Sequence, residues 1–168
     1  NRSKRIVGIA KAYLTYVGRG PLPTEIKPPL EEKIREVGQE YGTTTGRARR
    51  IGWIDLVQLK HANNLNGFTE LILTKVDVLT GLEEVKLCVG YEVGGEKINH
   101  VPSDLEVFNK IKPVYETLGG WASLPKKINS ISECPSELQS FIKKIEDLTD
   151  TKISLVSYGP DRNQTFAL

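Results

Sequence analysis

The chain is poor in the side chains that most often build metal and redox sites, with two Cys, two His and no Met among its 168 residues. His61 and His100 lie in unrelated contexts far from any Cys, so no cluster at ligand spacing predicts a structural zinc site. Cys88 lies in an apolar, alternating run typical of a buried thiol, and no spacing rule pairs it with Cys134 in a disulfide. A reducing, cytoplasmic compartment is therefore expected.

Long apolar runs and a strong charge of one sign are also missing. No run approaches the ~20 residues of a membrane span, so no membrane partner is expected. The net charge of +2 is too small to predict nucleic-acid binding, and any anion must be bound by a local cluster. A hydrophobic fraction of 39% and a charged fraction of 26% fit one globular domain. Because the chain starts at Asn1 without Met, we expect it to be a piece of a longer protein.

The apolar patterning predicts strands and helices in alternation. Strands are predicted at 6–17, 71–74, 84–93, 96–98, 114–118 and 153–157. Helices are predicted over 53–66, from Ser136 to Leu148, and after Pro29, where Leu30, Ile34, Val37 and Tyr41 recur at helical spacing. This alternation indicates the α/β class, in which ligands bind at the carboxyl ends of strands. Trp53 and Trp121 are expected to anchor the core.

The stretch 42–53 predicts a loop for an anionic ligand. Gly42 and Gly46 bracket three Thr hydroxyls, and Arg47, Arg49 and Arg50 follow within four positions. Gly permits tight backbone conformations, and the guanidinium fork fits a carboxylate or a phosphate in two-point contact. A basic surface turn is the alternative hypothesis. An RNA-binding patch is a third, although the stretch lacks the interleaved aromatic residues of such patches.

Two predicted strands end in polar residues followed by turn signals. Lys75 and Asp77 follow the first, and an Asp carboxylate accepts two parallel hydrogen bonds from the ring N–H and the exocyclic amine of guanine. Adenine presents an acceptor at the matching ring nitrogen and is disfavoured. Ser157 and Gly159 follow the second strand and are placed to close the other side of a base through backbone groups. The alternatives are a solvated pair of charges and an ordinary turn.

Two features of phosphoryl-transfer enzymes are missing from the sequence. It contains no Gly-x-x-x-x-Gly-Lys phosphate loop and no His–Asp pair placed for acid–base work. The chain therefore carries groups suited to holding ligands without an evident catalytic centre. Glu25, after the segment Gly20-Pro21-Leu22-Pro23-Thr24, either orients a loop or is a surface acid.

Six motifs in order along nearly the whole chain resemble the carboxyl-terminal half of the adenylosuccinate synthetase family. They are the stretch 11–25 with its Gly-Pro-Leu-Pro-Thr-Glu segment, the loop 42–56, and the stretches 73–79, 85–91, 115–121 and 157–162. The resemblance implies a P-loop-NTPase-like mixed sheet with flanking helices, present here as the carboxyl-terminal part (1–168) of a single larger domain. It also implies a homodimer as the full-length protein.

The resemblance implies a reaction with three substrates. GTP phosphorylates the 6-oxygen of IMP in the presence of Mg²⁺, and the amine of L-aspartate then displaces phosphate to give adenylosuccinate, a step in AMP synthesis. The family's magnesium ligands and catalytic Asp and His are expected in the amino-terminal part. No catalytic and no metal-binding residue is therefore expected in this chain.

Carried over position by position, the resemblance implies three groups of binding residues. Those for aspartate are Thr43, Thr44, Thr45, Gly46, Arg47, Ala48 and Arg49. Those for IMP are Val17 and Arg47. Those for GTP are Arg49, Lys75, Val76, Asp77, Ser157, Tyr158 and Gly159.

Four positions depart from the family pattern. Tyr16 stands where Arg is frequent, Leu22 replaces Phe, Ala48 replaces Pro or Arg, and Thr80 replaces Asp. We expect the isolated chain to be inactive and its sheet to show open edges that favour self-association. A non-catalytic guanine-nucleotide-binding regulatory module is the alternative function.

Overall fold

The computed structural model describes residues 5–168 and confirms the α/β class. Its strands form two mixed sheets, where the sequence had suggested one. The first sheet has the order β1-β4-β8-β9, with β1 (Val7–Lys11), β4 (Glu70–Thr74) and β8 (Ile153–Ser157) parallel and β9 (Thr165–Ala167) antiparallel. The second contains β2 (Tyr13–Tyr16), β3 (Arg50–Asp55), β5 (Glu84–Val93), β6 (Glu96–Ile98) and β7 (Lys112–Gly119).

Helices connect and cover these strands. They are α1 (Leu30–Gly38), α2 (Leu56–Asn66), α3 (Leu105–Phe108) and α4 (Ser136–Thr149), with 3-10 turns at Val76–Leu79 and Ile131–Glu133. The predicted last helix and the hairpin at Gly94-Gly95 are confirmed. No helix in the described part of the chain is long and apolar enough to cross a membrane.

The single strand predicted at 6–17 is in fact two strands in different sheets. β1 pairs in parallel with β4, and β2 pairs antiparallel with β3. Ala12 alone separates them; it is 1% exposed and its N–H donates to the Thr74 carbonyl at 2.9 Å. The sequence prediction failed here because β-forming residues continue through the break, and only the change of pairing partner marks it.

The helix predicted to begin at Trp53 begins three residues later. Trp53 belongs to β3 and pairs with Tyr13, because the run of apolar residues around it is buried between β2 and β5. Asp55 then caps α2, and its carboxylate accepts the backbone N–H groups of Val57 and Gln58 at 3.1 and 3.0 Å. The predicted end at Gly67 is confirmed by its left-handed conformation.

The first helix is shorter than its apolar spacing suggested. Ile34 is buried, but Val37 is exposed and Tyr41 lies outside α1 in an isolated bridge with Ala48. The helix ends because Gln39 adopts a left-handed conformation with φ of 50°. This reversal turns the next residue, Glu40, back under the helix toward the end of β1.

The core lies between the sheets and α4. Trp121 is fully buried with its ring centroid 5.5 Å from that of Phe141, and Trp53 is also buried, so both expected anchors are confirmed. Both cysteines are free and buried. β1 pairs with only β4 in the described residues, and Ile9 on it is 75% exposed. The expected open edge is therefore present, while self-association stays a prediction.

Candidate ligand cleft at the strand ends

A cavity of about 400 Å³ opens at the carboxyl ends of β4 and β8. It contains all four residues that the sequence analysis placed at the two strand ends, together with the end of α1. Its lining is Val37, Gly38, Gln39, Thr74, Lys75, Asp77, Val78, Ser157, Gly159 and Pro160. The volume and position fit a planar base, with the carboxylate of Asp77 on one strand end and backbone groups on the other.

Local backbone geometry sets the direction of Asp77. Lys75 has a left-handed conformation with φ of 62°, which ends β4 and begins the 3-10 turn that contains Asp77. Burial raises the pKa of the Asp77 carboxyl, against the opposing effect of its own backbone hydrogen bond and the nearby Lys75 charge. Its side chain enters no salt bridge among the described residues. The carboxylate is thus a half-buried acceptor at the cavity wall.

Two of the expected guanine-site residues, Val76 and Tyr158, do not line the cavity. The side chain of Val76 is buried, and its carbonyl accepts the indole N–H of Trp121 at 3.2 Å. The ring of Tyr158 is buried, and its hydroxyl accepts the N–H of Ile128 at 3.0 Å. The Ser157 hydroxyl donates to the Gly159 carbonyl at 3.1 Å. Lys75 and Asp77 are the charged side chains of the cavity lining.

Beside the cavity, the carboxylate of Glu40 gathers three cations. Its Oε2 accepts Arg49 Nη1 at 2.6 Å, and its Oε1 lies 2.8 Å from Lys11 Nζ and 3.1 Å from Lys75 Nζ. The Tyr13 hydroxyl also donates to Oε1, at 2.7 Å. Because Arg49 comes from the hydroxyl-rich loop and Lys75 from the cavity, this group, called here the Glu40 cluster, joins the two predicted ligand sites.

The electrostatics of the Glu40 cluster favour an added anion. Burial of the Glu40 carboxyl raises its pKa, but hydrogen bonds from Lys11, Tyr13, Arg49 and Lys75 outweigh that effect and lower it to about 2. The Glu40 carboxylate and its three cations together carry +2, and the Asp77 carboxylate near Lys75 lowers the local charge to +1. The cluster is therefore ionised at neutral pH and attracts negatively charged ligands to its open side.

The hydroxyl-rich loop itself is an exposed hairpin. Gly42 N–H donates to the Arg47 carbonyl and Gly46 N–H to the Gly42 carbonyl, both at 2.8 Å, and Gly46 has φ of 63°. Residues 43–48 are all exposed. In the described chain the guanidinium of Arg47 enters no salt bridge. Val17 is likewise exposed on the surface, outside the cavity lining.

Arg50 supports the neighbouring loop rather than presenting a free charge. Its Nε donates to Glu25 at 2.6 Å, and its Nη1 donates to the Gly18 and Gly20 carbonyls at 3.2 and 2.6 Å. This arrangement confirms the loop-orienting role considered for Glu25, whose pKa is lowered to about 2, chiefly by the Arg50 hydrogen bond. With Arg49 and Arg50 each paired to a carboxylate, the arginines do not form the open basic patch that RNA binding requires.

The Adenylosuccinate synthetase family model matches residues 1–166, which is nearly the whole chain. The chain belongs to this family. The resemblance drawn from the six motifs is thereby confirmed.

Individual relatives show the same likeness. The Adenylosuccinate synthetase of Clostridium novyi (strain NT) is 51% identical over 162 residues, covering 96% of this chain and 38% of the relative. That of Bacillus cereus is 47% identical over 161 residues, with the same two shares. A solved structure described as fully ligated Adenylosuccinate synthetase from Plasmodium falciparum superposes with a TM-score of 0.93 at 37% identity, over 98% of this chain and 40% of that one. The chain thus spans well under half the length of these relatives.

The main feature that sequence reasoning missed is Glu40. Lys11 falls within the stretch 11–25, and no sequence motif described above contains Glu40. One signal was present, since Arg47, Arg49 and Arg50 are followed by no acid until Asp55 and must find their counter-charges elsewhere. The contact itself depends on the turn at Gln39, which propensity did not reveal.

Proposed function

We propose that the chain forms part of an adenylosuccinate synthetase, a GTP-dependent C–N ligase that joins IMP and L-aspartate. The observation that carries this proposal is the meeting of Arg49 and Lys75 on one carboxylate, at 2.6 and 3.1 Å. These residues come from the loop proposed for aspartate and the cavity proposed for guanine. Membership in the adenylosuccinate synthetase family supports the assignment of this reaction.

In the proposed complex, the guanine base of GTP occupies the cavity. Asp77 accepts the ring N–H and exocyclic amine of guanine, Ser157 and Gly159 offer backbone groups, and the Lys75 stem lies against the base. Val76 and Tyr158 contribute backbone alone. The half-buried, unpaired carboxylate of Asp77 supports this assignment, since such a group gains from two donors.

L-Aspartate is proposed to bind across the hairpin. The hydroxyls of Thr43, Thr44 and Thr45 and the loop amides at Gly46 and Ala48 donate hydrogen bonds, and Arg47 and Arg49 pair with its two carboxylates. Arg47 also reaches the IMP ribose, Arg49 approaches GTP, and the Val17 backbone contacts IMP. The excess of positive charge around Glu40 is suited to a region where a dicarboxylate meets two nucleotides.

Phosphoryl transfer is proposed to depend on residues outside this chain. The described residues hold no group of three or more His, Cys, Asp or Glu side chains arranged for a metal ion, and the proposal assigns no Mg²⁺ ligand to them. We place the magnesium ligands, the phosphate loop and the catalytic Asp and His in the remaining part of the full-length protein. In the full-length protein, the first sheet is proposed to continue as a P-loop-NTPase-like sheet. The full-length protein is proposed to be a cytoplasmic homodimer.

The test is product formation from IMP, L-aspartate, GTP and Mg²⁺, measured as adenylosuccinate by chromatography. The complete protein that contains this chain is expected to form adenylosuccinate, and the isolated 168 residues are expected to form none. Guanine-nucleotide binding by the complete protein without product would favour the regulatory-module alternative. Adenylosuccinate made by the isolated chain would contradict the placement of the catalytic groups.

A further inference from the structure

Glu40 is fully buried, with 0% of its side chain exposed, yet each of the three cations it holds is partly open. The exposed fractions of the Arg49, Lys11 and Lys75 side chains are 28, 29 and 37%. The carboxylate is therefore out of reach of any ligand, while each of its partners keeps part of its side chain exposed. This is the arrangement of a residue that acts through others.

The two oxygens of Glu40 divide their partners between the two proposed sites. Oε2 accepts Arg49 alone among the recorded salt bridges, whereas Oε1 accepts Lys11, Tyr13 and Lys75. A rigid carboxylate plane thus fixes the distance between the guanidinium of the hairpin and the ammonium at the cavity. One electrostatic centre sets both positions.

Arg49 and Lys75 differ in how much they depend on Glu40. Lys75 Nζ also donates to the Gly38 carbonyl at 2.7 Å, so it keeps one anchor when the carboxylate is lost. The guanidinium of Arg49 has no other side-chain acceptor in the described residues. Loss of Glu40 would therefore release the arginine more completely than the lysine.

We propose that Glu40 is a positioning residue that orients Arg49 toward the dicarboxylate substrate and Lys75 beside the guanine base, so that binding of both substrates depends on a side chain that touches neither. This inference rests on the proposed function. It predicts that loss of the Glu40 charge weakens the binding of both substrates, and that the loss is larger for L-aspartate than for GTP.

The test uses Glu40→Gln in the complete protein, because Gln keeps the shape of Glu but removes the charge. The KM for L-aspartate is expected to rise about 10- to 100-fold and the KM for GTP about 5-fold, in line with the loss of charge-assisted hydrogen bonds. Glu36→Gln is the matched control. Glu36 is an exposed acid in the last turn of α1 that bonds only the Tyr41 hydroxyl, and its removal is expected to leave both KM values within twofold.

A second variant keeps the test decisive if Glu40→Gln does not fold. Glu40→Asp retains the charge but is one methylene too short to reach all partners, and it is expected to raise the aspartate KM several-fold, less than Gln does. A merely structural role would lower the melting temperature and the active fraction while leaving both KM values unchanged.

The outcomes separate this inference from the proposed function. If the wild-type protein forms adenylosuccinate but a folded Glu40 variant shows both KM values within twofold of wild type, the inference is wrong and the proposed function stands. If the wild-type protein forms no product, the proposed function fails first, and the inference fails with it.

Discussion

The cavity at the ends of β4 and β8 and the hydroxyl-rich hairpin are neighbours, but they are built differently. The cavity is framed by two strand ends and the end of α1, and Lys75 within it has two anchors, on Gly38 and Glu40. Residues 43–48 of the hairpin are exposed, and its base is held by backbone bonds, by the Arg49 pair with Glu40 and by Arg35, whose Nε donates to the Arg49 carbonyl at 2.9 Å. One region is thus a pocket enclosed by several elements, and the other is an exposed loop with few tertiary contacts at its tip.

If the proposed function holds, this difference predicts distinct roles for the two regions. A preformed pocket discriminates between bases because its groups cannot move to suit the wrong one. An exposed loop gives up conformational entropy on binding, so it contributes less affinity for each contact but can close over a small substrate. The Glu40 cluster connects the two regions, because Arg49 of the hairpin and Lys75 of the cavity contact the same carboxylate.

The largest expected effect is on nucleotide affinity and tests Asp77 in the cavity. Asp77→Asn replaces one of two acceptors with a donor that faces the amine of guanine, and guanine-nucleotide affinity should fall about 100-fold. Xanthine carries an oxygen at that position, so the variant should gain affinity for xanthine nucleotides. Calorimetry with both nucleotides measures the switch, with Asp147→Asn on the exposed face of α4 as the control. An Asp77 variant that keeps its guanine preference would remove the cavity from the proposed site.

The next effect probes how closely the cavity is packed. A Cβ on Gly38 would lie 2.4 Å from the Tyr13 hydroxyl and 3.2 Å from the Glu40 Cγ. Gly38→Ala should therefore lower the free energy of unfolding by about 2 to 3 kcal/mol, measured by denaturant titration. A Cβ on Gly46 in the hairpin meets nothing within 4 Å, so Gly46→Ala should cost about 1 kcal/mol, from its positive φ alone. Equal losses of stability at Gly38 and Gly46 would contradict the difference in packing between the cavity and the hairpin.

Acid should weaken the link between the two regions. The pKa of Glu40 is lowered from 4.5 to about 2, so the stabilisation it gives is complete above pH 4.5 and is lost as the pH falls toward 2. Thermal unfolding of wild type and Glu40→Gln should differ by about 1 to 2 kcal/mol at neutral pH. That difference should vanish near pH 2, and a constant difference across this range would show that the charge of Glu40 is not responsible.

The smallest expected effect on the free energy of unfolding is at Arg47 in the exposed hairpin. Arg47→Ala should change the free energy of unfolding by no more than about 0.5 kcal/mol, because its exposed guanidinium enters no salt bridge in the described chain. Arg49→Ala, measured in the same denaturant titration, should cost more, since it leaves the buried Glu40 with one partner fewer. An equal cost for both arginines would place Arg47 in a structural role instead.

Much of the fold could be predicted from local patterns, and the failures share a cause. Alternation and helical spacing located α4, β5 and the buried tryptophans, because burial of one face leaves a periodic trace in the sequence. The break at Ala12, the strand at Trp53 and the short strand β9 depend on which segments pair, and pairing partners leave no such trace. The meeting of Lys75 and Asp77 with Ser157 and Gly159 in one cavity was predictable, because the carboxyl ends of parallel strands lie at one edge of a sheet. Guanine binding by these residues stays a prediction. The position of Glu40 was not predictable, because it is set by the reversal at Gln39.

The passage from β1 to β2 through Ala12 has a mechanical consequence. A single residue spans about 3.8 Å between neighbouring Cα atoms, so the two sheets have almost no slack along this segment. Lys11 lies on one side of Ala12 and Tyr13 on the other, and both contact the same oxygen of Glu40. A displacement of one sheet from the other would therefore strain both the Ala12 segment and the two contacts to Glu40.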